Sequence, residues 1–477
     1  MHKKLLFTLL YLVTATTTHS QLSLTAESAV LAGTGSHSPF WHISNQQGLL
    51  TTQKNQGYLR LSGTYRQTLS RRATLTIGLD AVAAAHSDRT AYLQQAYVEG
   101  SYRALTLTIG ARAHYAGLLD ATLSSGDLVH SLNAAPLPEI NLALRSFQPV
   151  PLTQGWIQVK GDIAVGRSFD AHYLAKRVKA DRPYVQNNLW HHKSIYLRIG
   201  KRTQIPIQFT IGLQHWAQWG GESTDPAIGQ QPHRLKDLFK VFCGQGGGDG
   251  ATWSDATNVL GNHYGSYDLQ LSYDSYPVQL TAYHQHYFED KGGMAWNNGL
   301  DGLWGGTITL PRWRYLKTLL FEYLTTRNQS GPLHFIEFDH TQRPGRGGGC
   351  DNYYNNGEYA TGVSYYQRTL GNPLLINPAY TQMLGFAHNR IRAYHIALNG
   401  RLNPTVGYVV HFSHTTSWGR MEYPLLHPAQ LTAIGIKCQY DLRKNPAWQV
   451  EAGTGCDFGT LLGDSWGMQI VVRWQLR

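Results

Sequence analysis

Charge is scarce in this chain of 477 residues: 15% of positions are Asp, Glu, Lys or Arg, against about 25% in ordinary soluble domains. Cysteine is scarcer, at four residues, so the chain is not a disulfide scaffold. Beyond the N-terminal segment no stretch offers the ~18 consecutive apolar residues of a transmembrane helix. No Gly-X-Y period and no heptad pattern occurs, which removes collagen and coiled coil. The net charge of +11 is spread singly, with no basic run and no RNA-binding motif. Nucleic acid is therefore not an expected partner, whereas anionic lipid or an acidic glycan fits a diffuse positive charge. Catalytic signatures are missing as well. There is no Gly-x-Ser-x-Gly elbow and no His-Glu-x-x-His pair, and the glycine runs 244–250 and 345–349 lack the Gly-Lys-Ser/Thr of a phosphate loop. No cofactor and no metal is expected. A Ser/His/Asp set assembled from separate strands stays open as a third reading, an enzyme acting on lipid or glycan.

Aromatic residues make up 12% of the chain and glycine contributes 49 residues. The N-terminus carries His2, Lys3 and Lys4, an apolar stretch from Leu5 to Val13, and small residues Thr18 and Ser20 before Gln21. That is the layout of a secretory signal peptide, so residues 1–20 are read as a leader and 21–477 as one exported domain. Within that domain apolar and polar residues alternate. Trp466, Met468, Ile470, Val472, Trp474 and Leu476 share one strand face, opposite Gly467, Gln469, Val471, Arg473, Gln475 and Arg477. The same period recurs through Ile205–Leu213 and Tyr267–Tyr273. A period of two places one face in oil and the other in water. The runs are about as long as the nine to eleven residues of a tilted membrane strand. Tight turns such as 70–72, 201–203, 402–403 and 443–445 alternate with long segments such as 217–262 and 327–389, the pattern of periplasmic turns opposite outer loops.

Threading the chain this way predicts an all-β transmembrane antiparallel barrel of about 18 strands, with long extracellular loops, short helical insertions and both termini on the periplasmic side. The strands fall near 22–33, 57–68, 73–84, 91–103, 105–113, 138–147, 155–168, 191–201, 204–216, 263–274, 277–288, 303–310, 315–326, 390–402, 404–416, 429–441, 446–457 and 466–477. The first of these has the weakest alternation. Segments 114–135 and 234–242 have helical spacing and read as helices in outer loops, candidates for inward-folded plugs; a short strand is expected within 358–366. Cys438 and Cys456 fall on lipid faces of adjacent strands and out of register, so they stay free. Cys243 and Cys350 lie in the two longest outer loops, where an oxidising compartment permits a bridge. His191-His192 and His284/His286 invite a metal reading. The second pair shares a strand face, but no third ligand is evident and interfacial histidines are the expectation.

The outer loops carry the binding signal. One holds Asp290, Trp296, Asn297, Asn298 and Asp301; another holds Tyr353, Tyr354, Asn355, Asn356 and Glu358. Flat rings meet the apolar face of a pyranose, and amides and carboxylates take its hydroxyls. The same residues also build self-supporting turns and interfacial belts. Arg343, Arg346 and Arg420 could attract acidic sugars.

The chain resembles the Wzi-like capsule assembly proteins, in the form common among Bacteroidota. The matching stretches are Ser38-Pro39-Phe40-Trp41 with Asn45 and Gly48, Gly212-Leu-Gln-His-Trp216 with Gly220-Gly221, and Tyr283-His-Gln-His-Tyr-Phe-Glu-Asp290 leading to Gly299-Leu-Asp-Gly-Leu-Trp-Gly305. Phe321-Glu-Tyr323, Gln329-Ser-Gly-Pro332, Asp351 to Tyr359 and Thr369-Leu-Gly-Asn-Pro373 complete them. The resemblance implies an 18-stranded outer-membrane barrel with a lectin-like role, holding exported capsular polysaccharide at the surface of a Gram-negative cell, with no enzymatic activity and no cofactor. The expected partners are that polysaccharide, outer-membrane lipid and, during biogenesis, the outer-membrane assembly machinery; a monomer is expected. One departure is the C-terminus, Trp474-Gln-Leu-Arg477, where an aromatic last residue is usual. The runner-up reading is a porin-like channel for small solutes, since the polar strand faces could line an aqueous lumen.

Overall fold

A computed structural model describes residues 20–85, 89–248, 250–332, 349–442 and 447–476. The expected leader up to residue 19, Arg343, Arg346 and the 443–445 turn lie outside the described residues.

Eighteen strands form one sheet: β1 (Ser20–Gly35), β2 (Gln56–Ser70), β3 (Ala73–Ala84), β4 (Ala91–Tyr102), β5 (Leu105–Ala111), β6 (Pro138–Pro149), β7 (Ile157–Arg167), β8 (Leu189–Ile199), β9 (Ile207–Trp219), β10 (Asn262–Ser275), β11 (Val278–Phe288), β12 (Gly302–Thr309), β13 (Thr318–Thr325), β14 (Ile391–Arg401), β15 (Val406–Gly419), β16 (Pro424–Asp441), β17 (Trp448–Phe458) and β18 (Ser465–Leu476). Every strand pairs antiparallel with its chain neighbours. β1 pairs with both β2 and β18, in register from Leu24↔Leu476 to Gly35↔Ser465, so the sheet closes and has no edge. All eighteen expected strands are present. The largest end shift is in β16, which begins at Pro424 rather than 429.

The wall follows the period of two. Leu59, Leu61, Leu79, Ile109, Ile140, Phe209, Ile211, Met468 and Ile470 point outward and are exposed. Tyr102, Tyr273, Tyr276, Trp313, Tyr315 and Trp448 ring the short-turn end; Trp304, Phe458 and Trp466 ring the long-loop end. An apolar belt between aromatic girdles is the outer surface of a membrane barrel. The ten steps from Trp466 to Leu476 rise roughly 33 Å along the strand, about 25 Å across the belt at the usual tilt. No helix among the described residues is long and apolar enough to cross a membrane.

Inward-facing charges pair with one another. Arg60 grips Asp80 at 2.6 Å, Arg473 reaches Glu27 at 2.6 Å, and Arg145 reaches Glu99 at 2.9 Å. Two long segments then fold into the barrel. Residues 36–55 carry a short helix α1 (Phe40–Ile43), wholly buried. It rests on a row of glycines in lateral register, Gly435↔Gly455↔Gly467↔Gly33, on β16, β17, β18 and β1. A Cβ on Gly435 would stand 2.5 Å from Trp41, and one on Gly455 2.9 Å from Pro39 and His42. The row is a flat seat, and only glycine supplies it. Residues 112–137 form the second inward segment. Helical spacing over 114–135 predicted a helix, but the segment is irregular. Asp120 accepts from the amides of Thr122 and Leu123, Asp127 from those of Val129 and His130, and these Asx turns win over the helix. The helix expected over 234–242 does form, as α2 (Leu235–Cys243), yet it lies against the outer wall, its Phe242 ring 5.5 Å from His191, and is no plug.

β1 showed little alternation because its lumen-facing Ala29 and Leu31 pack against Ile43, Leu49 and Leu50 of the 36–55 segment, so both faces are apolar. The strand expected in 358–366 is a two-residue ladder, Ser364–Tyr365 with Arg368–Thr369. Cys438 sits opposite Ala452, and Cys456 opposite Ile434, out of register as read. All four cysteines are free. Cys243 ends α2, whereas the Cys350 amide donates to the Gly331 carbonyl in another loop, so the bridge considered between them is not formed.

Candidate functional site

The long-loop end is a packed cap. Glu322 on β13 accepts from Ser124 Oγ at 2.7 Å, the Ser125 amide at 2.8 Å and the Tyr283 hydroxyl at 2.5 Å. Asp127 accepts from Gln214 and Gln285 of the wall at 3.0 and 2.8 Å. Trp41 packs against both His395 and His411, each ring centroid 4.8 Å away, and its indole N–H reaches Ser413. Asn372 donates to Ser125 Oγ at 3.0 Å and to the carbonyl of Gly126. Of these, Trp41, Gln214, Tyr283, Gln285, Glu322 and Asn372 come from the stretches quoted above, and they tie the inward segments to the wall and to a cap loop.

The ten loop residues read as saccharide contacts divide in two. Five are buried and structural. Asn298 donates to the Tyr287 carbonyl at 2.7 Å and the Tyr353 hydroxyl at 2.8 Å. Tyr353 packs edge-on against Tyr287, centroids 4.8 Å apart. Tyr354 donates its hydroxyl to Leu128, accepts the Asn372 amide at 3.1 Å and packs against Phe386. Asn355 closes a loop through both the amide and the carbonyl of Phe386. Asp301 accepts the amides of Asn328 and Gln329 at 3.0 and 2.8 Å, and burial pushes its pKa up to about 6. The other five reach the surface. Asp290 caps a short helix α3 (Lys291–Met294) through Gly293; Asn356 caps the turn at Glu358 and Tyr359; Asn297 is exposed and Glu358 half-buried. Trp296 is 46% exposed, with one face stacked 3.6 Å from His286 on the outer wall.

Other groups, most of them half-buried, gather where sequence spacing gave no sign. Arg89 lies 3.8 Å over the Tyr92 ring and 4.1 Å over Tyr366, and Tyr173 meets Tyr366 edge-on at 5.3 Å. Arg89, Tyr173 and Tyr366 line a small cleft with Thr52 and Arg368. Asp170 fixes the Tyr366 amide at 3.0 Å, its pKa raised to about 6 by burial. Across the cap, Arg327 stacks on Trp418 at 4.2 Å and Arg420 lies over Tyr423 at 4.7 Å. Rings with a guanidinium beside them can take a sugar face and a sugar carboxylate together. Only Arg420 of these was singled out in sequence, since stretches far apart in the chain build the Arg89 cleft. Behind the cap, towards the short turns, a cavity of about 520 Å³ is lined by Glu27, Trp41, Arg60, Lys437, Glu451 and Arg473.

His191 and His192 face opposite sides of the wall. His192 points inward to Glu139 at 2.8 Å and stacks on Trp216, centroids 4.2 Å apart; a third group, His114, arrives from the 112–137 segment. Of the histidines singled out by spacing only His192 joins such a cluster; among the described residues no third ligand joins His284 and His286. His284 and His286 share the outer face as their spacing required, stacked on Trp304 and Trp296 at 3.6 Å each.

The family model described as "Capsule assembly protein Wzi" matches residues 35–375. No curated protein matches the chain in sequence. Among solved structures it is similar to Wzi of Escherichia coli, described as an outer-membrane protein involved in group 1 capsule assembly and a carbohydrate-binding β-barrel. The identity is 12%, the match covers 95% of this chain and 84% of that one, and the TM-score is 0.56. Pseudomonas aeruginosa OccK5 and OccK3 match 96% of this chain at 8% and 10% identity, each with a TM-score of 0.48. At such identities the likeness is one of fold.

Proposed function

Because this chain belongs to the capsule assembly protein Wzi family, we propose that it is a saccharide-binding outer-membrane barrel that holds exported capsular polysaccharide at the cell surface, without covalent chemistry and without turnover. The long loops face the exterior of a Gram-negative cell. Lipid bathes the apolar belt, the outer-membrane assembly machinery inserts the barrel, and it acts as a monomer.

The filled loop end carries this reading. Segments 36–55 and 112–137 occupy the lumen there with residues as buried as Phe40, Ile43, Leu123 and Val129, so the barrel offers a solid surface where a channel would offer a mouth. On that surface Tyr173 and Tyr366 present ring faces and Arg89 a cation for acidic sugars. Asp290, Asn297, Asn356 and Glu358 take hydroxyls, and Trp296 offers its free face. Asn298, Asp301, Tyr353, Tyr354 and Asn355 act one step back, by fixing the loops.

The test is co-sedimentation of the detergent-purified protein with its host's capsular polysaccharide at low and high salt. Saturable binding is expected at both salts, weakened about five- to thirtyfold in a Trp296→Ala/Tyr366→Ala variant, as loss of about 1–2 kcal/mol of ring stacking requires. Binding that high salt abolishes would assign the retention to diffuse charge. Equal binding by the variant would remove both rings from the site.

A further inference from the structure

His114, Glu139 and His192 are separated widely in sequence, yet their ligand atoms lie within 4.8 Å of one another. They meet where the 112–137 segment crosses the lumen face of β6 and β8. The Glu139 carboxylate stands 2.8 Å from His192 Nε2 and 3.6 Å from His114 Nε2. Each imidazole turns its other nitrogen to an oxygen: His114 Nδ1 is 3.2 Å from the Arg112 carbonyl, and His192 Nδ1 is 3.4 Å from the Asp162 carboxylate. Such an outer contact is what orients a metal-binding histidine, because it fixes the ring and turns Nε2 towards the ion. His114 Nε2 is buried and has no hydrogen-bond partner. The Glu139 and His192 side chains are 5% and 3% exposed. The Trp216 ring stacks on both His192 and His130, centroids 4.2 and 4.6 Å away.

We propose that these side chains form a divalent-cation site, two imidazole nitrogens and one carboxylate, suited to Zn²⁺. Ligand bonds of about 2.0–2.1 Å in tetrahedral geometry place ligand atoms roughly 3.3 Å apart. The two carboxylate oxygens stand 2.8 Å from His192 Nε2 and 3.6 Å from His114 Nε2, either side of that value, and all three ligand atoms lie within 4.8 Å of one another, so the groups can close on an ion by small side-chain shifts. Three protein ligands leave a fourth position for water. A narrow cleft lined by Arg112, His114, His130, Leu137, Glu139 and Trp216 gives access. The ion latches the inward segment to the wall: His114 belongs to the segment, Glu139 and His192 to the strands. This goes beyond polysaccharide binding and does not depend on it.

The experiment uses the full-length, tag-free barrel in detergent, stripped with chelator and titrated with Zn²⁺ by calorimetry and with Co²⁺ by absorption. One ion per chain is expected, with visible Co²⁺ bands and no near-ultraviolet thiolate band, since the four cysteines are elsewhere. His114→Ala leaves the strands intact and should weaken binding at least tenfold; Glu139→Gln should do the same. His284→Ala, on the outer wall, should bind as the parent does. Zn²⁺ should also raise the melting temperature of the parent but not of His114→Ala. Absence of saturable binding, a thiolate band, or equal affinity in His114→Ala would overturn the proposal. Heat-modifiable migration on gels verifies that each variant is folded, and if His114→Ala fails that check, His114→Gln takes its place.

Discussion

Asp301 ties the strand β12 to the loop at 326–332 through the Asn328 and Gln329 amides, and it does so from a buried position. Burial raises its pKa to about 6, so the folded protein binds this proton more tightly than the unfolded chain, where Asp titrates near 4. The contribution to stability is therefore full below about pH 4 and is lost as pH rises through 6. A shift of about two units caps it at roughly 2–3 kcal/mol. Protection factors of the Asn328 and Gln329 amides, corrected for intrinsic exchange, should fall between pH 5 and 7 in the parent and stay flat in Asp301→Asn. A flat profile in the parent would mean that the carboxyl titrates normally. At this scale the sequence was only half legible. Loop composition marks Asp301, Tyr353, Tyr354 and Asn355 as polar and aromatic, but the same chemistry that meets sugar hydroxyls also meets backbone amides. Which use applies depends on whether the loop folds inwards, and no short-range pattern records that. The Arg89, Tyr173 and Tyr366 cleft was invisible for the related reason that stretches far apart in the chain build it.

Strands were the legible elements, because a wall between oil and water must alternate at every position, and a slip of one residue would turn each side chain to the wrong side. The exceptions have local causes. β1 loses its alternation where Ala29 and Leu31 pack the 36–55 segment. The 114–135 segment keeps helical spacing, but Asp120 and Asp127 spend its amides in turns. The glycine seat beneath α1 could not be read at all, since lateral register joins residues from β1, β16, β17 and β18. Its role is testable. A leucine at Gly455 would drive its Cβ to 2.9 Å from Pro39 and His42, and overpacking of this kind costs typically 1–3 kcal/mol. Gly455→Leu should leave the barrel folded but expose residues 36–55 to limited proteolysis. Gly100→Ala, where an added Cβ meets nothing within 4 Å, should behave as the parent. Equal cleavage patterns in all three proteins would show that the seat does not position α1.

At the scale of the whole molecule, the same closed wall could serve a channel or a surface anchor, and the contents of the lumen decide between them. A barrel of this strand number is wide enough for an aqueous pore, and the cavity on the short-turn side is already lined by Arg60, Lys437, Glu451 and Arg473. What stands between that cavity and the loop end is the pair of inward segments, and Glu322 is the residue most committed to one of them. Glu322→Ala leaves the donors of Ser124, Ser125 and Tyr283 unpaired, each unmet donor costing roughly 1–3 kcal/mol. The 112–137 segment then keeps the wall contacts of Asp127 with Gln214 and Gln285 and of the Leu123 carbonyl with His395, and its docking is weakened. In planar bilayers the parent should show a conductance far below that of an open barrel of equal size, and Glu322→Ala should add bursts of larger openings as the segment leaves the wall. Polysaccharide binding should weaken in parallel, because Tyr354 hangs on Leu128 and Asn372 on Ser125, so the surface loops lose their footing when the segment moves. Steady, porin-sized conductance from the parent would reverse the argument: the segments would then be ornaments on a pore, and the channel would become the function to explain.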